Sequence, residues 1–172
     1  KLLTWILNSP QGQEEARQAN NHSTAHDAQV IAFAMYAGNM KVAREVINAI
    51  PRKRLFTQIE PDGKQPHELR RTLAFGYSQF NLSHFIDIFM MARKIGISID
   101  NATSEDGRSF YKAMDFLVPY VGKDVKAWPY QQISEWKYKQ QEFCKDLYRT
   151  FLLNPERKDY LKLYKTHRII DW

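Results

Sequence analysis

Residues 18–29, QANNHSTAHDAQ, concentrate polar side chains that could take part in chemistry directly before an apolar run with helical spacing. His22 and His26 lie four residues apart, and Asp27 follows the second histidine. Three interpretations are open for such a cluster: a metal site, the cap of a helix, or the polar half of a catalytic centre.

A metal site is the least favoured of the three. Imidazoles four residues apart align on one helix face in zinc proteases, but those proteins place a catalytic glutamate directly after the first histidine. Ser23 occupies that position here, and only Asp27 offers a nearby third ligand. Zinc needs three or four protein ligands. We therefore predict no metal and no other cofactor.

A helix start explains part of the cluster. Thr24 is followed three residues later by Asp27, which fits a capping box, and this predicts a helix that begins at residue 24. Asn20, Asn21 and His22 then precede the cap and lie at the positive end of the helix. Polar groups in that position can approach the carboxylate of a ligand.

A second polar stretch, residues 61–85, contains Arg70, Arg71 and Tyr77. If one helix runs over 67–95, the arginines lie about two turns before the tyrosine on a shared face. The ordinary interpretation is a core tyrosine with two surface arginines. The functional interpretation is a phenol with fixed cations beside a bound anion.

The composition of the 172 residues limits the class of protein. Hydrophobic residues make up 44% and charged residues 26%, which is typical of a folded globular domain. The net charge of +6 is consistent with an anionic partner, such as nucleic acid, an acidic membrane surface or an acidic polysaccharide, and equally with a solvated surface that carries a mild basic surplus. Cys144 is the only cysteine, so an internal disulfide is excluded and a small core residue is expected.

Apolar residues recur at helical spacing along nearly the whole chain, which predicts an all-α fold. Short connections predict antiparallel helical hairpins in a single domain over residues 1–172. Lys1 falls inside an apparent helix, so we expect helices upstream of it to be missing from the domain. The predicted helices cover residues 2–7, 24–37, 39–50, 52–58, 67–95, 103–121, 131–153 and 156–165.

The two polar stretches together resemble the alginate lyase superfamily of helical polysaccharide lyases. The resemblance rests on NNHS at 20–23, QIEPDGKQPHELRRT at 58–72 and FGYSQFNL at 75–82, and it extends over nearly the whole chain. It implies an (α/α) toroid, complete or incomplete, whose inner helices line a groove for an acidic polymer. It also implies a periplasmic or secreted location.

The resemblance further implies that an asparagine, a histidine and a tyrosine act together in catalysis. These fall on Asn21, His22 and Tyr77. A groove arginine falls on Arg70 or Arg71, of which Arg71 fits the family pattern better. With the polar residue before the Asn-His pair, the predicted substrate-binding residues are Asn20, Arg70 and Arg71.

Such enzymes cleave uronate chains by β-elimination: a proton leaves the carbon that bears the carboxylate, and the glycosidic oxygen departs from the neighbouring carbon. Hydrogen bonds and positive charge must stabilise the electron density that the carboxylate gains. Asn21 and an arginine suit that task. We expect Tyr77 to protonate the leaving oxygen and, in one alternative, also to abstract the proton, with His22 as the base or as a neutraliser of the carboxylate. The stereochemistry of the sugar decides which residue does which. The expected partner is an acidic polysaccharide, with no nucleic acid and no membrane insertion.

Two departures from the family pattern motivate an alternative. Many relatives carry histidine directly before the tyrosine, where this chain has Gly76, and family domains begin well upstream of Lys1. The alternative is a helical module that binds acidic glycans without cleaving them. A helical-repeat scaffold for nucleic acid or protein is disfavoured, because no repeat of fixed period is present.

Three of the tryptophans are candidate platforms on which a sugar ring could stack: Trp5, Trp128 and Trp136. We expect at least two of them to pack in the core instead.

Overall fold

A computed structural model describes residues 1–168, which form helices joined by loops, with two isolated β-bridges and no strand. The all-α prediction is confirmed. Pro51–Leu55 forms a π-helical turn, and Val118–Tyr120 and Val125–Ala127 form 3-10 turns. The α-helices are α1 (Leu2–Asn8), α2 (Pro10–Arg17), α3 (Asn21–Tyr36), α4 (Met40–Ile50), α5 (Phe56–Gln58), α6 (Pro66–Leu69), α7 (Ala74–Lys94), α8 (Phe110–Leu117), α9 (Trp136–Leu153) and α10 (Lys158–His167).

Helix α7 is the centre of the fold. Helices that follow one another pack together, as expected of helical hairpins: α1 with α2, α3 with α4, and α9 with α10. Helix α7 packs against α3, α4, α8 and α9, and Phe75, Phe85 and Phe89 on it are fully buried. Cys144 also lies in this core, as predicted, and burial raises its pKa to about 11. No helix within residues 1–168 combines the length and the apolarity that crossing a bilayer would need.

Helix α3 begins three residues earlier than predicted, and the predicted capping box is wrong. Asn20 is the N-cap, and its Oδ1 accepts a hydrogen bond from the backbone N–H of His22 at 3.3 Å. Thr24 is buried and donates to Gln58 Oε1 at 2.9 Å, and Asp27 is also buried. Both residues therefore serve the packing of α3 against its neighbours.

A buried ion pair holds α3 against the π-helical turn. Arg54 Nε donates to Asp27 Oδ2 at 2.7 Å, and Arg54 Nη2 donates to the carbonyl of Ala16 in α2 at 2.8 Å. Burial alone would raise the pKa of Asp27. Hydrogen bonds from His26 and Arg54, with the charges of Arg54 and Lys53, hold that pKa below its usual range. The pair joins three elements near the start of α3.

The helix predicted over 67–95 is divided into α6 and α7. In the break, the carbonyl of Thr72 and the N–H of Ala74 form backbone hydrogen bonds of 3.1 and 3.0 Å with residues 131–133. The side chain of Gln132 then accepts from two N–H groups in the first turn of α7, at 3.0 and 3.3 Å. A segment distant in sequence thus pairs with the break and caps α7.

Two further helices begin later than predicted. Helix α8 begins at Phe110 because the side chain of Ser109 caps it. Helix α9 begins at Trp136, because residues 131–133 pair with the segment before α7. Helix α2 has no counterpart among the predicted helices, and its N-cap is Ser9.

A buried polar network lies between α3 and α7. Gln58 Oε1 accepts from the Thr24 hydroxyl and the Asn81 amide at 2.9 Å each, and the Gln58 amide donates to Ser23 Oγ at 3.1 Å. Asn81 also donates to Gln65 at 2.8 Å, and Gln65 donates to a carbonyl of α7 at 3.1 Å. Buried polar groups left unpaired are costly, so this network fixes how α3 and α7 lie against each other.

A second buried carboxylate lies between α7 and α9. Asp146 accepts from Gln79 Nε2 at 2.7 Å and from Arg149 Nη1 at 3.2 Å, and it is 2% exposed. Burial raises its pKa to about 6, against the opposing effect of the Gln79 and Arg149 contacts. The folded state therefore binds a proton at Asp146 more readily than the unfolded chain does.

Asp146→Asn should flatten the pH dependence of stability. The pKa of Asp146 is higher in the folded state than in the unfolded chain, so protonation of Asp146 stabilises the folded state. This stabilisation is complete below the unfolded-state pKa of about 4 and is lost as the pH rises through about 6. The free energy of unfolding of the unsubstituted protein should fall over that window, by up to roughly 3 kcal/mol from this group. Denaturant unfolding at several pH values measures it. Asp124→Asn, at an exposed position, is the control, and equal slopes for both variants would contradict the assignment.

Candidate active site

Four of the six predicted site residues line one cavity of about 390 Å³. Asn21 and His22 come from the first turn of α3, Arg71 from the break between α6 and α7, and Tyr77 from the first turn of α7. Helices α1 and α2 supply much of the remaining wall. The other lining residues are Trp5, Ile6, Gln11, Gly12, Glu15, Ala25, His26, Gln29 and Phe80.

A buried carboxylate holds Asn21. Glu68 in α6 is 1% exposed; its Oε1 accepts from the backbone N–H of Asn21 at 2.7 Å, and its Oε2 accepts from the Asn21 amide at 2.8 Å. Burial raises the pKa of Glu68, and the Asn21 hydrogen bonds and the charges of Arg71 and His22 oppose that rise. Glu68 uses one N–H of the Asn21 amide. The other N–H and Oδ1 belong to a residue that lines the cavity and is 3% exposed.

His22 is oriented by a carboxylate from α2. Its side chain is 47% exposed, and its Nδ1 lies 2.8 Å from Glu15 Oε2. A carboxylate only accepts hydrogen bonds, so Nδ1 carries the hydrogen and Nε2 of the neutral ring carries a lone pair. In this tautomer Nε2 is the nitrogen that can accept a proton as a general base.

Arg71 lies over Tyr77, with its guanidinium carbon 3.9 Å from the centroid of the phenol ring. This is a cation–π contact. The prediction that the two share a helix face about two turns apart is wrong, because Arg71 precedes α7. The break between α6 and α7 brings the guanidinium back over the first turn of α7, so the two side chains meet for a different reason.

Asn20 and Arg70, both predicted to bind substrate, do not line this cavity. The side chain of Asn20 caps α3, and its carbonyl accepts from Gln58 Nε2 at 3.2 Å. Arg70 is exposed and donates from Nη2 to His67 Nδ1 at 2.6 Å. The residue that follows each of them in the sequence, Asn21 or Arg71, lines the cavity instead.

The two histidines of the opening cluster have separate partners. His26 Nδ1 lies 3.1 Å from Asp27, and its Nε2 lies 3.4 Å from the carbonyl of Ile6. His22 contacts Glu15 instead. Across residues 1–168, no three side chains of His, Cys, Asp or Glu are placed to hold a metal ion.

Sequence reasoning missed the two carboxylates behind the site. Glu68 stands two residues before a pair of arginines, and that charge pattern could have indicated a role for Glu68 near the site. Glu15 lies in the unpredicted α2, where no signal pointed to His22. Among the candidate sugar platforms, Trp5 lines the cavity and is 56% exposed, whereas Trp128 is 5% exposed and packs in the core. Trp136 packs against the core.

The sequence profile of the alginate lyase family matches residues 1–128. The chain belongs to the alginate lyase family. A crystal structure of an alginate lyase from Bacteroides ovatus superposes on the chain with a TM-score of 0.95 and 48% sequence identity. The resemblance inferred from the motifs is confirmed, and with it the (α/α) toroid, complete or incomplete, as fold class.

The extent of that similarity differs for the two proteins. It covers 99% of this chain and 44% of the Bacteroides ovatus lyase, so the chain spans less than half the length of that protein. No curated protein sequence matches the chain.

Glu68→Ala should expose the backbone N–H of Asn21. The first N–H groups of a helix have no partner within the helix, so Glu68 is what protects this one from exchange. We expect faster hydrogen exchange at Asn21 and a loss of about 1–3 kcal/mol of stability from the unpaired buried group. Nuclear magnetic resonance exchange rates and denaturant unfolding measure the two effects.

Glu68→Gln retains one acceptor and should give exchange at Asn21 between that of Glu68→Ala and the unsubstituted protein. Glu105→Gln, at an exposed position, is the control. Unchanged exchange at Asn21 in Glu68→Ala would show that Glu68 does not hold this helix end.

Proposed function

We propose that this chain carries the catalytic residues of a polysaccharide lyase that cleaves a uronate polymer, alginate or a related one, by β-elimination. The observation that carries the proposal is the cavity at which Asn21, His22, Arg71 and Tyr77 meet. Membership of the alginate lyase family and the similarity to a solved alginate lyase support it.

The first task of such a site is to stabilise the carboxylate of the sugar as the neighbouring carbon loses its proton. Asn21 offers an amide N–H whose orientation is set by Glu68. Arg71 offers fixed positive charge and a planar pair of donors that suits a carboxylate. Donors oriented before the reaction are the most effective stabilisers of developing charge.

The second task is proton transfer. His22 presents Nε2 as an acceptor because Glu15 binds Nδ1, and Tyr77 presents a phenol at the same cavity. If the abstracted proton and the leaving oxygen lie on one face of the sugar, Tyr77 can serve both. If they lie on opposite faces, His22 and Tyr77 divide the roles.

The setting follows from the same proposal. The substrate is an acidic polysaccharide, in keeping with the net charge of +6, and the exposed ring of Trp5 suits stacking on a sugar. A periplasmic or secreted location and a single domain over residues 1–172 complete the proposal.

Tyr77→Phe should lower kcat by about 100-fold or more, because the variant keeps the ring under Arg71 and loses the hydroxyl that moves the proton. The protein that carries this chain is assayed on alginate, polymannuronate, polyguluronate and glucuronan. The ultraviolet absorbance of the unsaturated product is the readout. Tyr36→Phe, at a side chain that is 94% exposed, is the control.

Turnover of Tyr77→Phe at the unsubstituted rate would remove Tyr77 from the mechanism. If the unsubstituted protein bound these polymers but released no unsaturated product from any of them, a glycan-binding module that does not cleave would be favoured.

A further inference from the structure

A second cavity, of about 220 Å³, adjoins the first. Tyr77 and Phe80 line both, so the two cavities lie next to each other at the proposed catalytic tyrosine. The remaining lining residues of the second cavity are Leu73, Gly76, Glu135 and Lys139. Among the described residues that line it, Lys139 alone is positively charged. Lys139 comes from α9, none of whose residues lines the first cavity.

The side chain of Lys139 lies directly on the backbone of Gly76. A Cβ atom built at Gly76 would stand 3.1–3.3 Å from Cγ, Cδ and Cε of Lys139, closer than ordinary van der Waals contact. The absence of a side chain at position 76 therefore makes the space in which the lysine stem lies. The Lys139 side chain is 20% exposed, as expected for a packed stem with an ammonium group at the surface.

The ammonium group has two weak contacts: its Nζ lies 5.2 Å from the centroid of the Tyr138 ring, which does not line the cavity, and it lies near Glu135, which does. Glu135 Oε2 lies 4.0 Å from Lys139 Nζ, at the outer limit of an ion pair, and the Glu135 side chain is 51% exposed. Ion pairs of this kind contribute little, because water screens them. An anion that enters the cavity can replace Glu135 at the ammonium group.

We propose that Lys139 binds the carboxylate of a second uronate, the neighbour in the polymer of the sugar held at Asn21, His22 and Arg71. The inference rests on the proposed function, since a polyuronate carries a carboxylate on successive sugars. Each of the two cavities then has its own cation, Arg71 in the first and Lys139 in the second. Glu135 opposes binding, because it competes for the ammonium group and repels the incoming carboxylate.

Lys139→Met should weaken the binding of saturated uronate oligomers about tenfold, since it keeps the stem on Gly76 and removes the charge. The dissociation constant is measured by calorimetry at several salt concentrations, in the Tyr77→Phe background, in which turnover is expected to be slow. The dependence on salt should become shallower in Lys139→Met. The matched control is Lys137→Met, at an exposed residue on the opposite side of the same helix.

Glu135→Gln should have the opposite effect and tighten binding about threefold, because it removes the competing charge. General loss of structure would weaken binding in both variants, so weaker binding in Lys139→Met together with tighter binding in Glu135→Gln would exclude it. Weaker binding in Glu135→Gln would overturn the role given to this residue.

Gly76→Ala tests the geometry. An alanine suits the interior of α7, so the fold should persist, but its Cβ requires the Lys139 stem to shift by a few tenths of an ångström. We expect weaker binding in Gly76→Ala, and little additional loss when it is combined with Lys139→Met, because the charge is already absent. Additive losses would show that Gly76 acts independently of the lysine.

The two proposals fail in different ways. A protein that binds and cleaves uronate oligomers, but in which Lys139→Met behaves like Lys137→Met, would overturn the Lys139 proposal alone. A protein that neither binds nor cleaves any uronate oligomer would overturn the proposed function and the Lys139 proposal with it.

Discussion

The site depends on the two hydrogen bonds that Asn21 donates to the Glu68 carboxylate. The carboxylate is almost fully buried, and burial raises its pKa, so its presence at the start of α3 has an energetic cost. Two hydrogen bonds from Asn21 and the positive end of α3 offset that cost. Because Glu68 lies in α6, just before Arg71, the same contact sets the distance between the amide of α3 and the guanidinium group that lies over Tyr77.

The interruption between α6 and α7 is the second constraint. A continuous helix would place Arg71 and Tyr77 about two turns apart, with no contact between guanidinium and ring. Thr72 and Ala74 pair with residues 131–133 in this interruption, and the Gln132 side chain caps α7. Arg71 precedes α7 and lies over the ring. The segment before α9 therefore shapes the site although it contributes no residue to the first cavity.

Polar side chains in the interior fix the position of α3 against α7. The amides of Gln58, Gln65 and Asn81 share hydrogen bonds that would be lost if α3 slid or turned on α7. Apolar packing alone tolerates such shifts more readily, because it is not directional. A site that needs Asn21 and Tyr77, from two different helices, at one cavity benefits from this directional restraint.

The sequence by itself determined the helical class, the family, and the identity of Asn21, His22, Arg71 and Tyr77 as candidates, because helical periodicity and short polar motifs are local properties. Tertiary structure decided between Asn20 and Thr24 as the cap of α3, since both are good caps and only burial against Gln58 separates them. It also placed Asn20 and Arg70 outside the first cavity. It placed Glu15 in the lining of that cavity, Glu68 behind Asn21, and Lys139 in the adjoining cavity. Those contacts join residues far apart in the chain, and no local pattern specifies which distant backbone or carboxylate will meet a given side chain.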